Sequence, residues 1–212
     1  MKIVVLLLLS LNILLSNPTL ETISLQLSWL HQFQSAGFYV AKEKGFYEEV
    51  GLHVEIKEYR NGINITEDVL AKKSTYGVGK SSLVIDRANH KAVVALMALF
   101  QSNPSVLITT NPNVKQLSDL KNKKIMMTDS EANSVAITAM LLSNGLSLQD
   151  IILQQHSFNI KDLIAHKTDA MACYISNEPF VLGHQNISYT VFHPKNYGFD
   201  FYGDILFTSE DE

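Results

Sequence analysis

Apolar and polar residues alternate along most of this chain in two rhythms, one with a period of two and one nearer 3.6. Residues 23–27 place Ile23, Leu25 and Leu27 on one face and read as a strand, and residues 52–56 repeat the pattern. Between them, 36–44 has helical spacing, and Gly45 is well placed to end it. Thr66-Glu67-Asp68 opens a helix through Lys73, with a short strand at 75–78. Ser81 and Ser82 are candidates to cap a helix reaching Asn89. The unbroken apolar run 92–100 is expected to be a buried strand. Beyond Pro104 come a strand at 106–110, a turn at Asn111-Pro112-Asn113, a short helix at 117–120, a basic turn at 121–124 and a strand at 125–127. A helix over 133–142 closes on Asn144-Gly145, strands at 153–156 and 169–174 flank a short helix at 160–165, and strands at 191–193 and 205–208 follow. This alternation predicts α/β layering with a largely parallel sheet. No internal repeat or low-complexity tract interrupts it.

The first residues change the expected compartment. Met1-Lys2 supplies one positive charge, residues 3–15 are apolar apart from Ser10 and Asn12, and Ser16-Asn17-Pro18 breaks the run. That run is shorter than the roughly 20 residues a spanning helix needs. It fits the core of a secretory signal over 1–17, with a buried N-terminal helix or strand as the competing reading. The positive end is minimal and no A-x-A site appears, so an uncleaved, membrane-tethering signal is the variant form. The chain is therefore expected to be periplasmic or otherwise extracytoplasmic. At 212 residues it suits one larger domain or two small lobes, and 46% hydrophobic content is ample for a core. A net charge of −4 without a dense basic stripe argues against a nucleic-acid partner. The single cysteine, Cys173, excludes a Cys-rich metal site and is silent on redox compartment.

The stretch LSWLHQFQSAGFYVAKEKGFYEEVGLHVEI, beginning at Leu27, resembles the opening of periplasmic type II solute-binding proteins, in the NMT1-like class that binds thiamine pyrimidine precursors, alkylsulfonates and taurine. Later blocks continue the resemblance: YGVGKSSLVIDRANHKAVVALMALFQSNPSVLIT, DLKNKKIMM, DAMACYISNEPF and NYGFDFYGDILFTSE. Together they cover roughly residues 23–210. The resemblance implies two α/β lobes around a ligand cleft: lobe 1 over 18–103, lobe 2 over 104–204, and a return crossing to lobe 1 over 205–212. Members of the class usually run on beyond this point. With Glu212 as the last residue, the rest of lobe 1 is expected to be missing and its packing incomplete. The implied role is capture of a small heteroaromatic ligand by a monomer, with an ABC permease in the inner membrane as partner. Other readings are an alkylsulfonate-type binder and the ligand-binding input domain of a signalling protein.

Such proteins hold ligand in loops at the carboxyl ends of strands and at helix N-termini, where unpaired backbone N–H groups converge. Each such loop therefore supplies candidates. Trp29 offers a flat face for stacking, and Gln32 and Gln34 can each donate and accept, although an indole can equally fill core. His31 is the weaker member of this loop. Gly79, Ser81 and Ser82 belong to a glycine-serine loop that approaches a ligand or merely caps a helix; it lacks phosphate-loop spacing. Gln101 lies at the crossover, and Glu131 precedes a helix, as a ring-amino acceptor or as a cap. Tyr174, Asn177 and Glu178 follow a strand, and Tyr174 is expected to face Trp29 across the cleft and sandwich a planar ring. Tyr202 and Asp204 lie at the return crossing. Closure is expected about hinges near 101–105 and 204–208.

Enzyme readings fare worse. Eukaryotic relatives of the class make the thiamine pyrimidine with an active-site histidine, a pyridoxal-phosphate lysine and a cysteine-rich motif. The cysteine-rich motif is absent here, so that activity is not carried over. There is no G-x-S-x-G and no H-E-x-x-H, and His31, His53, His90, His156, His166, His184 and His193 show no close ligand spacing. Neither a cofactor nor a metal is expected.

Overall fold

The period-two segments become the strands of two five-stranded sheets in a computed structural model that describes residues 19–212. The expected export segment, 1–17, lies outside the described residues. In chain order the first lobe holds β1 (Glu21–Gln26), α1 (Ala36–Glu43), α2 (Phe46–Glu49), β2 (Leu52–Lys57), α3 (Ile65–Leu70), β3 (Tyr76–Gly79), α4 (Leu83–Ala88) and β4 (Val93–Phe100). The second holds β5 (Ser105–Thr109), β6 (Lys124–Met127), α5 (Asp129–Ala132), α6 (Val135–Ser143), β7 (Ile152–Gln155), α7 (Ile160–Ile164), β8 (Ala170–Tyr174), α8 (Glu178–His184) and β9 (Thr190–Phe192). The chain then re-enters the first lobe as β10 (Gly203–Ser209).

Both sheets share one plan. The first is ordered β2-β1-β3-β10-β4 and the second β7-β6-β8-β5-β9. In each, one strand runs against the other four: β10 is antiparallel to β3 and β4, and β5 to β8 and β9. Those two are the strands that enter a lobe from the other one, so they arrive reversed. The sheets are thus parallel apart from the crossing strands. Because the right-handed βαβ connection returns each strand in the same direction, the carboxyl ends of β1, β3, β6 and β8 gather on the side where the lobes meet.

The second lobe is the better packed. One face of its sheet buries Leu107, Leu120, Ile125, Met140 and Phe192. The other buries Val106, Ile108, Met171, Cys173 and Leu182. With both faces covered, every residue of β5 and β8 is buried, and each large aliphatic contributes about 1.5–3 kcal/mol. The first lobe packs Leu25, Leu27, Val54 and Val78 on one face and Tyr59, Ile65, Val69 and Phe207 on the other. A Cβ on Gly77 would lie 2.6 Å from Phe207 Cε1 and 2.7 Å from Ile65 Cγ2, so only glycine lets that ring close down on β3.

Three expectations need correction. The apolar run at 92–100 is a strand but not a buried one: only Val93 is buried, and Leu96 and Met97 are each 51% exposed. The strand is at the sheet edge, bonded to β10 alone, and an apolar run does not report what lies beside it. Neither Ser81 nor Ser82 caps α4: Ser82 makes no capping bond and Ser81 Oγ has no partner among the described residues. The hinge placed at 204–208 falls inside β10, which is hydrogen-bonded on both sides. The part of the return crossing outside any helix, strand or turn lies before it, at 199–202.

Candidate functional site

The lobes meet directly where the carboxyl ends of β1 and β8 face each other. Trp29, just after β1, is 6% exposed. His156 and Phe158 from the β7–α7 loop each approach it edge-on at 4.9 Å. Tyr174, the last residue of β8, lies nearly parallel to it, 15° apart with centroids 6.2 Å away. A ring sandwiched between two others needs planes about 7 Å apart, twice the carbon–carbon contact distance. The lobes therefore have to part before a planar ligand can enter this gap.

Below the aromatic layer, Asp204 ties three chain segments together. Its Oδ1 accepts from Ser28 Oγ at 3.1 Å and from Tyr174 Oη at 2.6 Å, joining first lobe, return crossing and second lobe. Burial pushes the Asp204 carboxyl above the usual aspartate range, while the nearby Lys80 charge pulls the other way. The Tyr174 hydroxyl is driven well up by burial and by Asp204, so it stays a proton donor. Lys80, itself buried, donates to Ser105 Oγ at 3.3 Å and sits 5.3 Å from the Tyr174 ring centroid, a cation–π distance. His156 uses both ring nitrogens: Nδ1 accepts from Phe158 N–H at 2.8 Å, and Nε2 donates to the Ala172 carbonyl at 2.8 Å.

A separate cavity of 590 Å³, lined by none of Trp29, Tyr174, Asp204 or Lys80, opens between the lobes, within the range of small-molecule pockets. Asn64, Thr66, Gly79 and Ser82 line it from the first lobe, and Asp129, Ser130 and Asn133 from the second. Glu131, on the same turn as Asp129, is fully buried. Its Oε2 closes a capping box by accepting from Thr128 N–H and Oγ1, both at 3.0 Å. Its Oε1 is buried without a hydrogen-bond partner among the described residues, as are Gln34 Nε2, Tyr59 Oη, Ser81 Oγ, Asn103 Nδ2 and Ser134 Oγ. Buried polar atoms are normally paired, so these are groups with unused bonding capacity.

The remaining expected residues divide. Gln32 Oε1 accepts from Asn177 Nδ2 across the junction at 3.4 Å, and Asn177 also donates to Glu178 Oε1 at 3.0 Å. Glu178 Oε2 accepts from Tyr174 N–H at 3.2 Å, and burial raises its carboxyl above the usual glutamate range. Gln101 is exposed and donates to the Ala98 carbonyl, and Tyr202 is 58% exposed, so neither joins the junction. Sequence reasoning did not single out Tyr59, Lys80, Ser134, His156 or Phe158. Tyr59 and His156 carried a usable signal, each closely following a strand on the cleft side. Among the described residues no group of three His, Cys, Asp or Glu side chains could hold a metal ion, and no helix is long and apolar enough to cross a membrane.

A family model described as NMT1/THI5 like matches residues 32–212. A Haemophilus influenzae protein that carries a thiamine-biosynthesis name is 28% identical over 190 residues, covering 88% of this chain and 60% of that one. The riboflavin-binding protein RibY of Chloroflexus aurantiacus is 27% identical over 187 residues, 83% of this chain and 52% of RibY. The formylaminopyrimidine-binding protein of Halalkalibacterium halodurans is 22% identical, covering 92% and 60%. The chain thus spans between 52% and 60% of the length of these curated relatives. Among solved structures, the alkanesulfonate-binding protein SsuA of Xanthomonas axonopodis, bound to MOPS, superposes with a TM-score of 0.64 at 17% identity, covering 92% of this chain and 67% of SsuA. The shared architecture is the two-lobed fold of type II periplasmic binding proteins.

Proposed function

This chain belongs to the NMT1/THI5-like family, and on that premise we propose that it is an extracytoplasmic solute-binding protein that captures a small heteroaromatic ligand, of thiamine-pyrimidine-precursor type, for ABC-type uptake. The observation that carries the reading is the lobe junction itself. Trp29 and Tyr174 present near-parallel rings, and Ser81, Glu131 and Ser134, each with a buried polar atom that has no partner among the described residues, are next in sequence to residues lining a cavity of small-molecule size. Such a junction gains bonds when a planar, hydrogen-bonding molecule enters, and closure over that molecule creates the form a permease recognises. The riboflavin- and formylaminopyrimidine-binding names of two relatives support a heteroaromatic ligand.

The test is a thermal-shift screen of residues 19–212 against aminopyrimidine thiamine precursors, riboflavin and simple alkylsulfonates. A stabilisation by an aminopyrimidine that grows with concentration is expected, about 2.7 kcal/mol at a hundredfold excess over Kd. Trp29→Ala is expected to abolish it while the protein remains folded. A strong shift with an alkylsulfonate and none with any heteroaromatic overturns the ligand class.

A further inference from the structure

Glu131 is an unusual residue to leave half-bonded. Its carboxylate is fully buried, one oxygen is consumed by Thr128, and the other has no partner among the described residues. Its charge reaches the junction from both directions: it helps to raise the Tyr59 hydroxyl of the first lobe, pushed up to about 12 by burial and then by Asp129 and Glu131, and also that of Tyr174. Asp204 and Cys173 feel it as well.

The charges around it do not balance. Asp204 is buried and Glu178 half-buried on the same junction, yet Lys80 is the one buried cation there among the described residues, and Lys91, which lines the cavity partly exposed, is held by Glu67 and Asp86 at 2.8 Å each. Lys80 is engaged by Ser105, the Tyr174 ring and the field of Asp204. His156 has both nitrogens in use and offers no free N–H. A buried carboxylate without a counter-charge costs several kcal/mol. The position at the head of α5 that an anionic ligand group would need is already filled by the Glu131 carboxylate. Ser81 Oγ, Ser134 Oγ and Tyr59 Oη, all unpaired, can orient a ligand but cannot neutralise it.

We infer that Glu131 is the specificity-determining counter-ion of this cleft, and that the ligand binds as a protonated nitrogen base donating N–H to Glu131 Oε1, with anions rejected. This rests on the capture reading above and narrows it: heteroaromatic character alone is insufficient, and the ligand has to be basic.

Isothermal titration of the protein with an aminopyrimidine, benzamidine and ethanesulfonate tests it, on wild type and on Glu131→Gln, whose amide oxygen can still accept from Thr128. The aminopyrimidine and benzamidine are expected to bind and ethanesulfonate is not. Glu131→Gln weakens the bases roughly ten- to hundredfold, the usual worth of a charge-assisted bond. Because the variant can fail to fold, wild type alone supplies a second readout. Above the aminopyrimidine's own pKa, its affinity should fall about tenfold per pH unit, following the protonated fraction, whereas benzamidine stays cationic and should hold its affinity over the same range. Sulfonate binding, a Glu131→Gln affinity equal to wild type, or an aminopyrimidine affinity that ignores its protonation overturns the inference. If the base affinities survive Glu131→Gln but vanish in Trp29→Ala, capture stands and the counter-ion role falls. If nothing binds, both fall.

Discussion

Asp204 is where burial and bonding pull hardest against each other. Both donors, Ser28 and Tyr174, converge on a single oxygen of a carboxylate removed from water. Burial raises its pKa above 3.8 despite Lys80, so the folded chain holds this proton to higher pH than the unfolded chain does. Stability from this group is therefore present in acid and is lost as pH rises from 3.8 through the raised folded value. Asp119, Asp150, Asp162 and Asp200 are shifted downward and act in the opposite sense at lower pH. Their contribution cancels when a variant is compared with wild type. Asp204→Asn keeps an acceptor for both hydroxyls and cannot ionise. Its melting temperature relative to wild type is expected to climb between pH 4 and 7, and a flat difference would show that Asp204 stays ionised throughout. Some of this junction is readable from residue type: Trp29 and Tyr174 are aromatic residues at strand ends, and Glu131 is an acid at a helix start. The partnership of Ser28 with Asp204 is not, because 176 positions separate them and nothing local marks either. Lys80 and Phe158 are hidden for the same reason, since their neighbours are supplied by the other lobe.

At the scale of elements, periodicity located the strands well because the sheets are covered by helices on a regular alternation. It misplaced burial at β4, where composition is uniform and only sheet order decides exposure. Eight residues without a charge, on an edge with one bonded neighbour, are the kind of strand that invites further pairing. It also missed α8, which follows a turn at 175–177: proline suits the first turn of a helix, where its missing N–H costs nothing. The closest packing joins β3, β10 and α3 at Gly77. A methyl group there has to displace the Phe207 ring and Ile65, both fully or nearly buried. Gly77→Ala should therefore cost about 1–3 kcal/mol, read as a lower urea midpoint at unchanged slope. Phe207→Leu in the same chain is expected to recover part of that loss, a coupling of neighbours that separate sites do not show. An unchanged midpoint in Gly77→Ala would mean that the ring gives way freely.

For the molecule as a whole, function depends on how two crossings let the lobes move. The outward crossing, 101–104, and the return crossing, 198–202, lie side by side. Ser102 donates to Asp200, and Lys195 pairs with Asp200 at 3.1 Å. Ile175 N–H donates to the Pro104 carbonyl at 2.9 Å, fastening the second lobe to the same spot. Where the crossings touch, Gly203 faces Pro104: a Cβ would lie 2.8 Å from Pro104 Cδ and 3.1 Å from Asn103 Cα. Neither a proline ring nor a backbone carbon can rotate aside, so Gly203→Ala wedges the crossings apart. A displacement of a few tenths of an ångström there passes through Asp204 and Ile175 to the adjoining Tyr174, and so to the contacts of Trp29 with Tyr174 and of Gln32 with Asn177. The closed population falls, and apparent affinity for the aminopyrimidine falls by the same fraction. The radius of gyration in solution scattering should rise in Gly203→Ala without ligand and return toward the wild-type value at saturation, because ligand bound to the closed form draws the population back. Gly37→Ala, where a Cβ meets nothing within 4 Å, is the matched control and should change neither quantity. If Gly203→Ala lowers the melting temperature but leaves both the radius and the affinity at wild-type values, the clash is absorbed locally. Gly203 then serves packing alone, and the lobes hinge elsewhere.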